Sequence, residues 1–329
     1  MTDIRPQYRI IATGAGRAVR RDRGRLRFDG ADARSFLQAL VSNDVESLVP
    51  GRGVYATYLT PQGRMISDLR IHHRDTHLLA EVPATIAARL VAAFDAVIFS
   101  EDVSVSDVSP GIEQMLIAGE RAAEVVARAL GLEVGQLDAL APLAHVETGE
   151  RFVARSDDIG VPGFDVFVPS QLLDETIARF DGTGAIAISP ELVDALRIEA
   201  GRPAYGVDMT EDTIPLEAGL LERAISTTKG CYVGQEIIIR VLHRGAGRVA
   251  KRLARLEIAS PSVEPPAPGA ILSVGGREVG KVTSSAPSPS RDRVIALGYV
   301  HRDVAEPGQH VVITTPAASV EAVIVGFAG

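Results

Sequence analysis

The sequence predicts an α+β fold closed by a small antiparallel β-barrel. Three observations predict it. Helical and strand patterns mix up to residue 247 without the regular βαβ rhythm of a doubly wound sheet. Helical periodicity then stops near Arg248. Six short β-rich pieces separated by Pro, Gly and Ser follow it, the pattern of a small barrel. A chain of 329 residues suits several linked units better than one core. Aromatics are only 5% and Trp is absent, so Ala, Val, Leu and Ile must fill the interior.

Each element follows from local pattern. Leu26–Phe28 reads as a short strand. In GADARSFLQALVSNDV, Phe36, Leu37, Leu40 and Val41 recur at helical spacing, with Asp29 as the expected N-cap. Gly53–Leu59 and Met65–His72 read as strands of a hairpin, with Pro61 and Gly63 at its turn. PATIAARLVAAFDAVIF reads as a helix with Pro83 in its first turn and Ile86, Leu90 and Phe94 on one face. A second unit begins near Val103. It holds a strand at Met115–Ile117 and the helix ERAAEVVARALG, ended by Gly131. FVAR and FDVFVP flank a turn at Gly160–Gly163, and the helices SQLLDETIARF and SPELVDALRIEAG follow, the latter started by Ser189 and Pro190. The barrel strands are KRLARLEI, AILSV, REVGKVTS, VIALGYV, HVVITT and VEAVIVGF, with a tight turn at Gly275–Gly276. The expected organisation is a region 1–247, made of subdomains at about 12–102 and 103–247, and a barrel at 248–329.

The formal net charge of −8 argues against nucleic acid as a direct partner. The run RAVRRDRGRLR, from Arg17 through Arg27, is a local exception. It reads either as a solvated strand edge or as a basic wall for an anionic ligand tail. MTDIRPQYRI carries charge where a signal peptide needs an apolar core. No run of about 18 apolar residues offers a membrane span. A cytoplasmic location is therefore expected.

Cys231 is the only cysteine, which excludes an intrachain disulfide and a closed four-ligand metal site, so no metal centre is expected. Gly230 and Gly234 suggest a bent, accessible backbone around it, and Lys229, Arg240, His243 and Arg244 are the cations that would favour its thiolate. The competing reading is a buried, inert thiol. Asp68, Glu199, Asp208 and Glu217 are the acids placed to accept ligand N–H bonds or take up a proton, though an acid alone is more often a cap or solvated surface residue. His72 and His73 point to opposite faces of one strand and read as structural. No P-loop, dinucleotide fingerprint, GxSxG elbow or zinc-protease motif is present.

KGCYVGQE, from Lys229 to Glu236, resembles the signature of YgfZ-type folate-binding proteins, relatives of the glycine-cleavage T-protein aminomethyltransferases. FLQALVSNDV, YLTPQGRMISDLRI, LRIEAGRPAYGVD, TIPLEAGL, GREVGKVTSSAPSP and IALGYV agree with it, so the resemblance runs from about residue 12 to 327. It implies a ring of subdomains around a channel that receives tetrahydrofolate, with the β-barrel last. It implies an accessory factor for maturation or repair of iron–sulfur proteins, including those that serve tRNA modification. The partners would be iron–sulfur client or assembly proteins, and Cys231 the reactive thiol. The alternative it carries is a folate-dependent aminomethyltransferase or related one-carbon transfer enzyme. Residue by residue, Cys231 matches the signature cysteine, with Lys229, Gly234, Gln235 and Glu236 around it. Arg197 and Glu199 match the LRxEAG segment beside the folate channel, and Asp68 matches an acid near the folate's reacting nitrogen. Cys231 and Asp68 are thus the catalytic candidates, and Arg197, Glu199, Lys229, Gln235 and Glu236 the folate contacts. T-proteins grip the pterin with a glutamate in a TGYTGE-type segment. Here the stretch is ARSDDIGVPGFDV, with Val161 at that place, and Ser67 stands where an acid often pairs with Asp68.

Overall fold

The strand-forming segments ahead of the barrel sort into two sheets, because apolar residues alternate along them and each sheet needs its own helical cover. The computed structural model describes residues 3–156, 158–243, 247–258, 264–315 and 319–329. It begins with α1 (Arg5–Ile11), β1 (Gly16–Val19), β2 (Arg23–Asp29), α2 (Ala33–Leu40), β3 (Arg52–Leu59), β4 (Met65–His73), β5 (Leu78–Pro83), α3 (Ala87–Asp95) and β6 (Ser104–Asp107). Then come β7 (Ile112–Ala118), α4 (Ala122–Leu130), α5 (Val134–Asp138), β8 (His145–Thr148), β9 (Arg151–Arg155), β10 (Gly163–Pro169), α6 (Leu173–Gly182), β11 (Ile186–Ala187), α7 (Pro190–Ala200), α8 (Leu221–Ala224) and α9 (Gln235–His243). The last part holds β12 (Lys251–Ile258), β13 (Ile271–Val274), β14 (Arg277–Pro287), β15 (Val294–His301), β16 (His310–Thr314) and β17 (Ser319–Phe327).

The first sheet has the order β3-β4-β5-β2-β6 and the second β11-β1-β7-β10-β9-β8. Pairing is antiparallel throughout except for β1 with β11. Two strands cross the expected division near residue 103. β1 precedes the first sheet in sequence but pairs with β7, and β6 returns to pair with β2. Edge pairing, not chain order, decides sheet membership here. β12 to β17 close into a six-stranded barrel, all antiparallel, as the short alternating strands predict.

Leu26, Phe28, Leu69 and Ile71 from the first sheet meet Phe36, Leu37, Leu90 and Phe94 from α2 and α3 in one core. Phe94 lies edge-on to Phe28 at 5.2 Å and stacks on Tyr58 at 5.0 Å. Burying a side chain of this size contributes about 1.5–3 kcal/mol. The second sheet packs Met115, Ile117, Phe164 and Val166 against Val126 of α4 and Phe180 of α6. A further core joins Leu192 and Leu196 of α7 to Leu253, Ile295 and Leu297 of the barrel.

Two helix starts differ from expectation. Asp29 ends β2 and pairs with Arg27, while Asp32 stands at the N-cap of α2 without a capping side-chain bond. Pro83 is the last residue of β5, opposite Arg23, so α3 begins only at Ala87. In both places strand pairing extends further than local propensity suggests. Gly131 ends α4 in the left-handed region, and Ser189 caps α7 by accepting from the Leu192 amide, both as predicted. No helix among the described residues is long and apolar enough to cross a membrane.

Candidate functional site

Period-two alternation decides what each sheet shows its neighbour. On β4, Leu69 and Ile71 enter the helix-covered core, so Asp68, Arg70 and His72 project from the opposite face. On β2 the same logic sends Leu26 and Phe28 inward and turns Arg23 and Arg25 away. Buried charge thus gathers where the two sheets approach each other.

Asp68 is 1% exposed. It accepts a hydrogen bond from the Tyr55 hydroxyl at 3.0 Å and one from Arg23 Nη1 at 3.4 Å, and Arg70 Nη1 lies 3.9 Å away. Burial, reinforced by the Asp68 charge, pushes the Tyr55 hydroxyl well above its ordinary pKa and keeps it a donor. Arg70 binds Asp158, whose carboxylate also lies 3.8 Å from Arg223. Burial raises Asp158, but Arg70, Arg20, Arg223 and Arg23 outweigh it and hold the carboxyl well below its usual range.

These groups border a cavity of about 470 Å³ between the two sheets and the segment that contains α7. Its wall carries Arg20, Arg21, Arg23, Arg70, Arg197 and Arg202 against Asp22, Asp68, Asp158 and Asp194. Six cations against four anions make the wall net positive in a chain whose net charge is −8. Pro190, Val193, Pro203 and Tyr205 add an apolar side.

The Arg17–Arg27 run therefore divides. Arg20, Arg21 and Arg23 line the cavity. Arg17 pairs with Asp181 and Arg27 with Asp29, while Arg25 is buried and donates to the Arg23 and Ser109 carbonyls.

The sequence-derived candidates do not gather in one place. Asp68 and Arg197 line the cavity. Arg197 is fixed by Asp194 at 2.7 Å and Asp208 at 2.6 Å. Glu199 turns away, accepting from Ser288 and, at 2.7 Å, Ser290 beside the barrel. Glu217 lies 3.8 Å from Lys251, also outside the cavity lining.

The KGCYVGQE segment lies apart from that lining. Lys229 Nζ donates to the carbonyls of Gln38, Val41 and Asn43 at 2.5–3.0 Å, capping the C-terminal end of α2. Burial pushes this ammonium down to about 8. Its hydrogen-bonding capacity is committed to backbone, so it braces the loop under the cysteine. Cys231 itself is exposed. Gly234 has φ +84° and sits against the β3–β4 turn, where a Cβ would come within 2.5 Å of the Thr60 carbonyl. Gln235 opens α9, and Glu236 is exposed in its first turn. Arg240 is exposed in the last turn with His243, and Arg244 lies outside the described residues.

His72 Nε2 pairs with Glu81 at 2.9 Å, and His73 Nδ1 meets the Leu48 carbonyl, as expected of opposite faces. No group of metal-ligating side chains occurs among the described residues. Sequence reasoning passed over Tyr55, Arg70, Asp158 and Tyr205. Arg70 was available from alternation, being two residues from Asp68 on the same strand face. Asp158 was visible as an acid just ahead of Val161.

The family model of the GCVT N-terminal domain matches residues 10–229, and that of the glycine cleavage T-protein C-terminal barrel domain matches residues 251–327. An aminomethyltransferase of Rubrobacter xylanophilus is 30% identical, over 90% of this chain and 79% of its own length. One from Synechocystis sp. is 29% identical, over 87% and 77%, and one from Bacillus subtilis 26%, over 93% and 85%. The crystal structure of glycine cleavage system aminomethyltransferase T from Bartonella henselae shares the fold at a TM-score of 0.88 and 22% identity, covering 98% of this chain and 88% of that one. Matched by the N-terminal domain over residues 10–229 and by the barrel domain over residues 251–327, this chain belongs to the glycine cleavage T-protein family.

Proposed function

We propose that the chain binds a reduced folate of the tetrahydrofolate class in the arginine-lined cavity. The observation that carries this is Asp68, a buried carboxylate held by Tyr55 and Arg23 at the wall of a 470 Å³ space. That volume lies within the range of small-ligand pockets, about 300–1,000 Å³. The residues fit such a ligand. Arg23 Nε and Arg70 Nε and Nη1 are buried without a hydrogen-bond partner, leaving donors for ligand oxygen. Asp68 supplies acceptors for the N–H groups of an aminopyrimidine edge. Val161 packs into the apolar core around α7, so Asp68 must serve where the family pattern has a glutamate.

A bound folate supplies the nitrogen that carries a one-carbon unit. This chain's residues orient the ligand, exclude water and hold a proton at the Asp68 carboxylate. The aminomethyltransferase names of the relatives and the retained Asp68 support folate-dependent one-carbon transfer as the use of the site. Purified protein given tetrahydrofolate and a protein-bound aminomethyl donor is then expected to turn over, with a loss of about a hundredfold or more in Asp68→Asn. Saturable folate binding without turnover would remove this use and keep the binding.

The exposure of Cys231 favours a second reading, an accessory factor that presents its thiol to iron–sulfur client or assembly proteins while folate occupies the cavity. The signature segment is docked on the β3–β4 turn and aims no residue at the cavity. In cells lacking the gene, Cys231→Ala should then fail to restore an iron–sulfur enzyme. Full restoration would eliminate the thiol's role.

A further inference from the structure

Asp158 has no counterpart among the residues carried over from the sequence signature, yet it joins three parts of the fold. It leaves the loop between β9 and β10, binds Arg70 of β4 through Nη2 at 2.5 Å, and lies 3.8 Å from Arg223 of α8. Those two guanidiniums each approach the Tyr55 ring, at 5.0 Å and 5.1 Å from its centroid. The Tyr55 hydroxyl then holds Asp68 at 3.0 Å. Arg70 Nε and Nη1 make no hydrogen bond, so the bond from Nη2 to Asp158 is the short contact on this guanidinium, beside the longer 3.9 Å approach of Nη1 to Asp68.

We propose that Asp158 is a positioning residue: it clamps Arg70 and Arg223 on the Tyr55 ring and thereby fixes the hydroxyl that orients Asp68. The inference rests on the folate-site reading for its consequence, but the clamp belongs to the unliganded protein. A carboxylate can hold both guanidiniums at once by accepting a charge-assisted N–H bond from Arg70 and attracting the Arg223 charge 3.8 Å away. Tyr55 contributes an electron-rich ring that such cations favour. The effect reaches Asp68 without Asp158 touching it, so a change at 158 acts on ligand binding through geometry.

The test uses Asp158→Asn and Asp158→Glu in the full chain. In the unliganded wild type, the Arg70 and Arg223 side-chain resonances are expected to be ring-shifted by Tyr55, as identified by their loss in Tyr55→Leu. Asp158→Asn should abolish both shifts and weaken tetrahydrofolate binding about tenfold or more. Asp158→Glu should restore much of each, which a merely destabilised fold would not do. Retention of both shifts and of wild-type affinity in Asp158→Asn would overturn the proposal. If the asparagine variant does not fold, Arg223→Gln opens the same clamp from the other side and is read the same way, through the Arg70 shift and the affinity. Should the wild type bind no tetrahydrofolate, the site reading falls, while the ring shifts still decide whether Asp158 holds the clamp.

Discussion

Replacing Asp68 by Ala removes an acceptor used by both Tyr55 and Arg23. Arg23 is then left with Glu81 as its nearest acid, 4.0 Å away. Deleting one partner of a buried pair costs about 3–5 kcal/mol, so Asp68→Ala should lower unfolding free energy by that order in urea titration. The pH dependence centres on another acid. Gln114 Nε2 donates to Glu81 at 2.8 Å and to Asp165 at 3.0 Å, so two carboxylates share one amide between the sheets. Burial, with the Glu81 charge added, pushes Asp165 up to about 6 from an ordinary 3.8. A carboxyl raised on folding is bound more tightly to its proton in the fold. Its stabilising contribution is therefore full below the ordinary value and is lost as pH rises through about 6. Asp165→Asn, which keeps the shape without the charge, should gain on the order of 1–3 kcal/mol near pH 8 and nothing near pH 3. Urea midpoints across that range check it, and an unchanged midpoint at pH 8 would contradict it.

Helix and turn positions carry two more tests. Gly234 occupies a left-handed conformation directly against the Thr60 carbonyl, where any Cβ collides with backbone. Gly234→Ala should cost about 1–3 kcal/mol and release α9 from the hairpin, seen as faster hydrogen exchange of the Gln235–His243 amides. Lys229→Met keeps the stem and removes the cation from the end of α2. A loss of about 1–2 kcal/mol is expected in thermal or urea unfolding, since three carbonyls lose a charged donor in a half-buried place. The element boundaries show how far the sequence could be read. Leu26–Phe28, the Met65 hairpin and all six barrel strands follow from alternation and turn residues, which are local. α2 begins later than Asp29 suggests because β2 extends through that residue in its pairing with β6. Such pairing is a property of the partner strand, and no window of sequence around Asp29 contains it. α9 was equally invisible, since QEIIIRVLH could serve a strand as well. Of the residues at the cavity, Asp68 and Arg197 are ones the family pattern names. Tyr55 and Asp158 are not, because their roles arise from side chains 13 and 88 residues distant in sequence meeting at Asp68 and Arg70.

At the scale of the whole molecule, Asp208 links the body to the barrel. It is 2% exposed and accepts from Arg197 and the Ala204 amide on one oxygen, and from Thr283 and Ser284 of β14 on the other. Asp208→Ala should loosen the barrel at a cost of about 3–5 kcal/mol and raise tryptic cleavage ahead of β12. If the cavity binds folate as proposed, its affinity should fall too, because Arg197 loses one of its two acids. The interleaving of β1 and β6 has a further consequence, for the order in which the molecule can assemble. As the chain leaves the ribosome, β1 emerges before both of its partners: it cannot pair until Ile112–Ala118 has been made, and its other edge waits for Ile186. β2 likewise lacks one neighbour until Ser104–Asp107 arrives. Neither half is a contiguous folding unit, so nascent chains halted near residue 103 should expose unpaired strand edges and depend on chaperones, whereas the contiguous barrel can form late and by itself.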